Sequence, residues 1–158
     1  MTEIETRPRA IVVLCVLSWI YIGFLLLSGT VGLQQGPLSP EEIEDQKAQM
    51  LGMYTEEQLE LMGTYVEDGI ELIEIGNANY YTIAILGIVI SLIGLQSTIM
   101  MFRLKKAGYY LYIGYSIAPL ILAILYYPGI FLGISLVWNI VVGGIFLWLY
   151  GSKLKWMR

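Results

Sequence analysis

The sequence predicts an all-α membrane protein: a bundle of four transmembrane helices, with an amphipathic acidic helical segment between spans one and two. Three observations carry this prediction. First, positions 10–40, 75–102 and 107–152 hold no Asp, Glu, Lys or Arg and are rich in Leu, Ile, Val, Tyr and Gly. A hydrocarbon core of about 30 Å needs about 20 apolar residues per helix, so the first two stretches each hold one span and the third holds two. Second, 57% of the residues are hydrophobic and the mean hydropathy is +0.68. A soluble domain of 158 residues would leave much of that surface in exposed patches, whereas lipid makes it a correct exterior. Third, charge is segregated. Eleven of the 13 acids, but only Lys47 of the nine bases, lie between Glu41 and Glu74, giving that stretch a net −10.

The other eight bases are Arg7, Arg9, Arg103, Lys105, Lys106, Lys153, Lys155 and Arg158, and all flank expected span ends. Lys and Arg near span ends mark the cytoplasmic side. Four spans return both termini to that side and put the acidic segment outside. Three spans would split the basic clusters between two sides, which the pattern disfavours.

Residues 1–9 read as a cytoplasmic tail and 10–33 as span one. Ser28-Gly29-Thr30 offers a signal-peptidase-like site, but the apolar run exceeds the 7–15 residues of a signal h-region, so the span is expected to be retained. Residues 34–78 form the acidic extracytoplasmic segment. Ser39-Pro40-Glu41-Glu42 has a capping Ser, a Pro suited to the first helical position and a Glu three residues on to close a capping box. Thr55-Glu56-Glu57-Gln58 repeats the signal and starts a second helix. There Leu59, Met62, Val66, Ile70 and Ile73 form an apolar stripe, and Glu60, Glu67, Glu71 and Glu74 line the other face. Gly76-Asn77 reads as its C-cap.

Span two is expected over 79–102, from about Tyr80, followed by a basic cytoplasmic turn at 103–107. Span three covers 108–127 and contains Pro119, which cannot supply the helical bond to the Tyr115 carbonyl and bends the helix. Pro128 and Gly129 make the outer turn, span four covers 130–150, and 151–158 is a basic tail. Tyr80, Tyr81, Tyr126 and Tyr127 are expected in an outer aromatic belt. Tyr109, Tyr110, Tyr112, Trp148 and Tyr150 are expected in an inner one, where amphipathic rings meet the headgroups.

Candidate functional residues are few. Ala84, Gly87, Ser91, Gly94 and Thr98 recur at spacings of three and four on one face of span two, as residues that let helix backbones approach closely in lipid. They predict a packing face, within the bundle or toward a partner. Asn139, mid-way along span four, carries an amide that lipid cannot satisfy and should face the bundle or a partner. Glu60, Glu67, Glu71 and Glu74 are candidate contacts for a basic partner. Histidine is absent, and Cys15 is the lone cysteine, a small buried hydrophobe. These absences remove His-ligated metals, Ser/His and Cys/His catalytic sets, and any intramolecular disulfide. No ionisable residue lies within a span, which argues against a proton relay, an ion pump or a redox subunit. No catalytic site, cofactor or metal is expected.

The basic N-terminus, the acidic helical loop, the inner turn Arg103-Leu104-Lys105-Lys106-Ala107-Gly108-Tyr109-Tyr110-Leu111-Tyr112 and the basic C-terminus together resemble a loose group of small bacterial four-span proteins. The resemblance implies the bacterial inner membrane and no particular activity. Claudins and tetraspanins share the four-span shape but need extracellular cysteines. A vitamin K epoxide reductase-like enzyme needs paired cysteines, and neither set exists here. The expected role is non-enzymatic: an accessory or scaffold subunit in the bilayer, bound to another membrane subunit or to copies of itself, and not to nucleic acid. The alternative is a small homo-oligomeric channel, or a lipid- or solute-binding protein, lined by Ser91, Gln96, Ser97, Thr98, Ser116 and Asn139.

Overall fold

A computed structural model describes residues 8–158. Arg7 and the start of the N-terminal tail lie outside the described residues. The described residues form six α-helices and a closing 3-10 turn, with no strand. The helices are α1 (Arg9–Gln35), α2 (Pro40–Gly52), α3 (Glu56–Ala78), α4 (Tyr80–Phe102), α5 (Lys106–Tyr126) and α6 (Gly129–Gly151). Four of them, α1, α4, α5 and α6, are long and apolar enough to cross a membrane. Even α5, with 21 residues, is roughly 32 Å long at about 1.5 Å per residue. The chain is a multi-pass membrane protein with the architecture of a helical bundle.

The helices pack in sequence, α1 along α4, α4 along α5 and α5 along α6, while α1 and α6 touch sparingly. Along α1 and α4 the Trp19 indole N–H donates to Thr98 Oγ1 at 2.8 Å, and that hydroxyl donates to the Leu95 carbonyl at 2.9 Å. The Trp19 ring lies 5.1 Å from Phe102. At the far end of the same seam the Tyr80 hydroxyl donates to the Gly32 carbonyl. Between α4 and α5 the backbones nearly touch. A Cβ on Gly108 would lie 2.7 Å from both Met101 N and Ser97 O, so this position admits only glycine without a backbone shift.

That approach follows from the turn before it. Lys105 N–H donates to Met100 O and Leu104 N–H to Met101 O, each at 2.9 Å. These are the two bonds of a Schellman motif, which normally places glycine at the left-handed residue. Here Leu104 takes that role at φ 59°, and its side chain packs against the core. Burial of an apolar side chain offsets the strain that glycine would avoid.

The core gathers at the basic end: Ile11, Leu14, Cys15, Ile22, Met101, Tyr112, Tyr115, Tyr150 and Met157. This corrects the expected inner belt. Tyr110 and Trp148 are exposed, but Tyr112 and Tyr150 are buried, their rings 5.0 Å apart, with Tyr115 beside Tyr112 at 5.4 Å. Position near a span end said nothing about which face of the helix each ring occupies. Tyr112 and Tyr150 point inward, and the Tyr150 hydroxyl is satisfied by Ser18 at 3.0 Å.

At the acidic end α2 and α3 form a hairpin. Both expected capping boxes form: Ser39 Oγ accepts from Glu42 N–H while Glu42 accepts from Ser39 N–H, and Thr55 and Gln58 do likewise. The expected C-cap at Gly76-Asn77 does not form. The helix runs through both residues to Ala78, and Asn79 alone separates it from α4. The Asn77 amide serves elsewhere. Its Oδ1 accepts from Leu38 N–H at 2.6 Å and its Nδ2 donates to Leu38 O at 3.2 Å, tying the start of the acidic segment to its end.

Candidate functional site

Between α1, α4, α5 and α6 lies a cleft of about 650 Å³. This falls within the range of about 300–1,000 Å³ for small-molecule sites. Its existence follows from the uneven packing of the bundle. At the basic end the Ser18–Tyr150 hydrogen bond and the tyrosine core hold α1 to α6. Further along, α1 and α6 do not close on each other. The rims there are Leu17 and Tyr21 on α1 and Trp138 on α6, with 49%, 56% and 66% of their surfaces exposed. The mouth therefore faces the surroundings of the bundle, which for these helices is lipid.

The floor is the small-residue stripe of α4, which divides in two. Gly94 and Thr98 are packing positions. A Cβ on Gly94 would lie 2.6 Å from the Tyr115 ring, and Thr98 is fully buried against Trp19. Ala84, Gly87 and Ser91 line the cleft instead, and a Cβ added to Gly87 would meet nothing within 4 Å. One periodic stripe thus makes a tight seam in one half of the bundle and an opening in the other. The difference lies on α5: Tyr115 fills the space opposite Gly94, whereas Ser116 and Pro119 stand along the open part.

The walls are mainly apolar, with a few polar groups. Asn139 lines the cleft between the helices, and its hydrogen bonds are made within its own helix. Its Nδ2 donates within α6, to Ser135 O at 2.8 Å and Ser135 Oγ at 3.2 Å. Bonding back one turn satisfies the donor without a neighbour, a local alternative open to a short polar side chain. It leaves Oδ1 without a hydrogen bond to any described residue. Ser91 is likewise not hydrogen-bonded to a described residue, whereas Ser116 Oγ donates to Tyr112 O at 2.9 Å. The cleft therefore offers an apolar channel with an amide oxygen on one wall and a hydroxyl on its floor. Of the other expected lining groups, Gln96 is exposed away from the cleft, and Ser97 is buried and donates to Gly94 O at 2.6 Å.

The acidic candidates have different fates. Glu60, Glu67 and Glu71 are exposed. Glu74 is held by Lys47 at 2.7 Å, and Lys47 also reaches Glu44 at 2.9 Å, so this carboxylate clamps α3 to α2. The two carboxylates, Glu74 first, hold the Lys47 ammonium above its ordinary pKa. Asp68, an acid that the sequence does not single out, reaches the start of α6. Its Oδ2 accepts from Ile130 N–H at 2.7 Å, which satisfies a free N–H in the first turn of α6 and latches α3 across the end of the bundle. Tyr65 stacks on Phe131 beside it at 5.2 Å. One signal was available: Asp68 sits among Tyr65, Gly69 and Leu72, on the inward face of an otherwise acid-outward helix.

No protein-family profile matches the chain, and no curated protein or solved structure matches it either.

Proposed function

We propose that the chain is a lipid-binding membrane protein whose cleft takes up one hydrocarbon chain entering between α1 and α6. The observation that carries the reading is the 650 Å³ apolar cleft with its mouth on the lipid-facing side. A hydrocarbon chain is the occupant that bilayer surroundings supply, and Ser91 and the Asn139 amide oxygen suit a polar substituent on it. In this reading the acidic hairpin lies outside, both termini lie in the cytoplasm, and the membrane is the bacterial inner membrane. The role is binding rather than catalysis, because the spans carry no acid or base. The test is native mass spectrometry of the protein released from nanodiscs of its own membrane lipids. Wild type should retain a lipid that Gly87→Leu loses, since the added side chain has room to project into the cleft and obstruct it. Equal retention by both would refute the reading.

A second reading, an accessory subunit of a membrane complex, is favoured by one feature. Leu51, Met53, Leu61 and Met62 at the hairpin tip are exposed, Leu61 at 83%, beside the exposed Glu60, Glu67 and Glu71. An apolar tip on an acidic arm suits a partner with a basic rim. A companion protein that co-purifies with wild type and is lost in Leu61→Glu would support this reading. A companion unaffected by that change would refute it.

A further inference from the structure

The two basic segments at the end of the bundle opposite the hairpin are not independent tails. Lys106 N–H donates to Arg158 O at 2.8 Å, and Arg158 N–H donates to Leu104 O at 2.7 Å. This reciprocal pair clasps the C-terminus onto the turn between α4 and α5, more than fifty residues away in sequence. Two further features fix the clasp. Leu104 holds its left-handed turn, and Met157, only 3% exposed, is an anchor in the core next to Leu154. The result lays the tail that carries Lys153 and Lys155 alongside the turn that carries Arg103, Lys105 and Lys106. None of these five forms a salt bridge among the described residues, and every described Asp and Glu lies in the hairpin at the other end. Around them Tyr110, Trp148 and Trp156 are exposed at 65%, 72% and 53%. Such rings settle at the level of lipid headgroups.

We infer that this clasped platform is a binding site for the phosphate headgroup of an anionic phospholipid in the leaflet on the basic side. A solvated tail whose charges served only to set topology would need no buried anchor and no backbone pairing to the turn. Holding five cations in one patch raises their mutual repulsion, and a multiply charged phosphate headgroup relieves it. Each basic residue close to an anionic lipid surface strengthens binding about fivefold, so the turn and tail together exceed what either gives alone.

The experiment uses the full chain in nanodiscs of phosphatidylcholine containing diphosphatidylglycerol, read by native mass spectrometry. Wild type should retain diphosphatidylglycerol in clear excess over its share of the bilayer. Met157→Ser keeps every cation but frees the tail, and should lower that retention about fivefold or more. Lys105→Gln with Lys106→Gln leaves the anchor intact and should lower it similarly. Retention in Met157→Ser equal to wild type, with thermal stability of the bundle unchanged, would show additive surface charge rather than a built site and overturn the inference. Pyrophosphate added to wild type distinguishes the source of the phosphate. Undiminished lipid retention supports the lipid assignment, and displacement of the lipid by pyrophosphate would assign the platform to a soluble anion and overturn it. The cleft substitution Gly87→Leu should leave this retention unchanged.

Discussion

Gly87 and Gly94 belong to one stripe on one helix, two turns apart, and the structure predicts opposite responses to the same change. Replacing either glycine by alanine removes the backbone entropy penalty of glycine in a helix, a gain of up to about 1 kcal/mol that is common to both sites. At Gly87 the new methyl meets nothing within 4 Å. At Gly94 it lies 2.6 Å and 2.7 Å from two carbons of the Tyr115 ring. That ring is buried and packs against Tyr112, which packs in turn against Tyr150, so moving it disturbs the tyrosine core. Overpacking of a filled site typically costs about 1–3 kcal/mol. Because the propensity gain cancels between the two variants, Gly94→Ala should be less stable than Gly87→Ala by about 1–3 kcal/mol. Reversible unfolding of both in bicelles, followed by helical circular dichroism against added denaturing detergent, measures the difference directly. Equal stabilities would mean that Tyr115 does not fill the space over Gly94 and that the division of the stripe into seam and cleft is wrong.

Three further outcomes are expected. Asp68→Ala should cost about 1 kcal/mol at the hairpin, as loss of a capping carboxylate does, lowering hydrogen-exchange protection of α3 roughly fivefold while leaving α4 and α5 unchanged; unchanged α3 protection would remove the latch. The Ser39 backbone N–H, and then its hydroxyl, hold the Glu42 carboxyl below its ordinary 4.5, so its contribution is complete above pH 4.5 and is lost as pH falls through the lower folded value. The raised Lys47 contributes fully below 10.5, and that contribution is lost as pH rises through its folded value. Amide protection factors of α2 should therefore be flat between those limits and fall outside them, with the acid limb reduced in Glu42→Gln; a fall centred near neutral pH would contradict both assignments. Reporter fusions after Tyr54 and after Lys106 should give signals from opposite sides of the membrane, and same-side signals would exclude the four-span arrangement.

The large-scale architecture was legible because lipid imposes it: charge-free stretches, capping boxes and the segregation of bases are one-dimensional signals. What was not legible depends on which helix faces which. The periodicity of Ala84, Gly87, Ser91, Gly94 and Thr98 placed them on one face, but only the ring of Tyr115 decides where that face closes. The Asn139 amide needs hydrogen-bond partners, and Ser135 on its own helix supplies those of the donor, a choice that pattern alone leaves open. Tyr112 and Tyr150 have the composition of an interfacial belt and the position of a core. Asp68 looked like one acid among many until the N-terminus of α6 was found beside it.

Photo-crosslinking tests most directly whether a hydrocarbon chain occupies the space between α1 and α6. A phospholipid carrying a diazirine in its acyl chain is activated in membranes containing the protein, and the labelled residues are mapped by peptide sequencing. Adducts are expected on the cleft-lining Ile83, Ile90 and Val142 as well as on the outward-facing Val137 and Ile145, with the first group lost in Gly87→Leu. Labelling confined to Val137 and Ile145 in wild type would show that no chain enters the cleft.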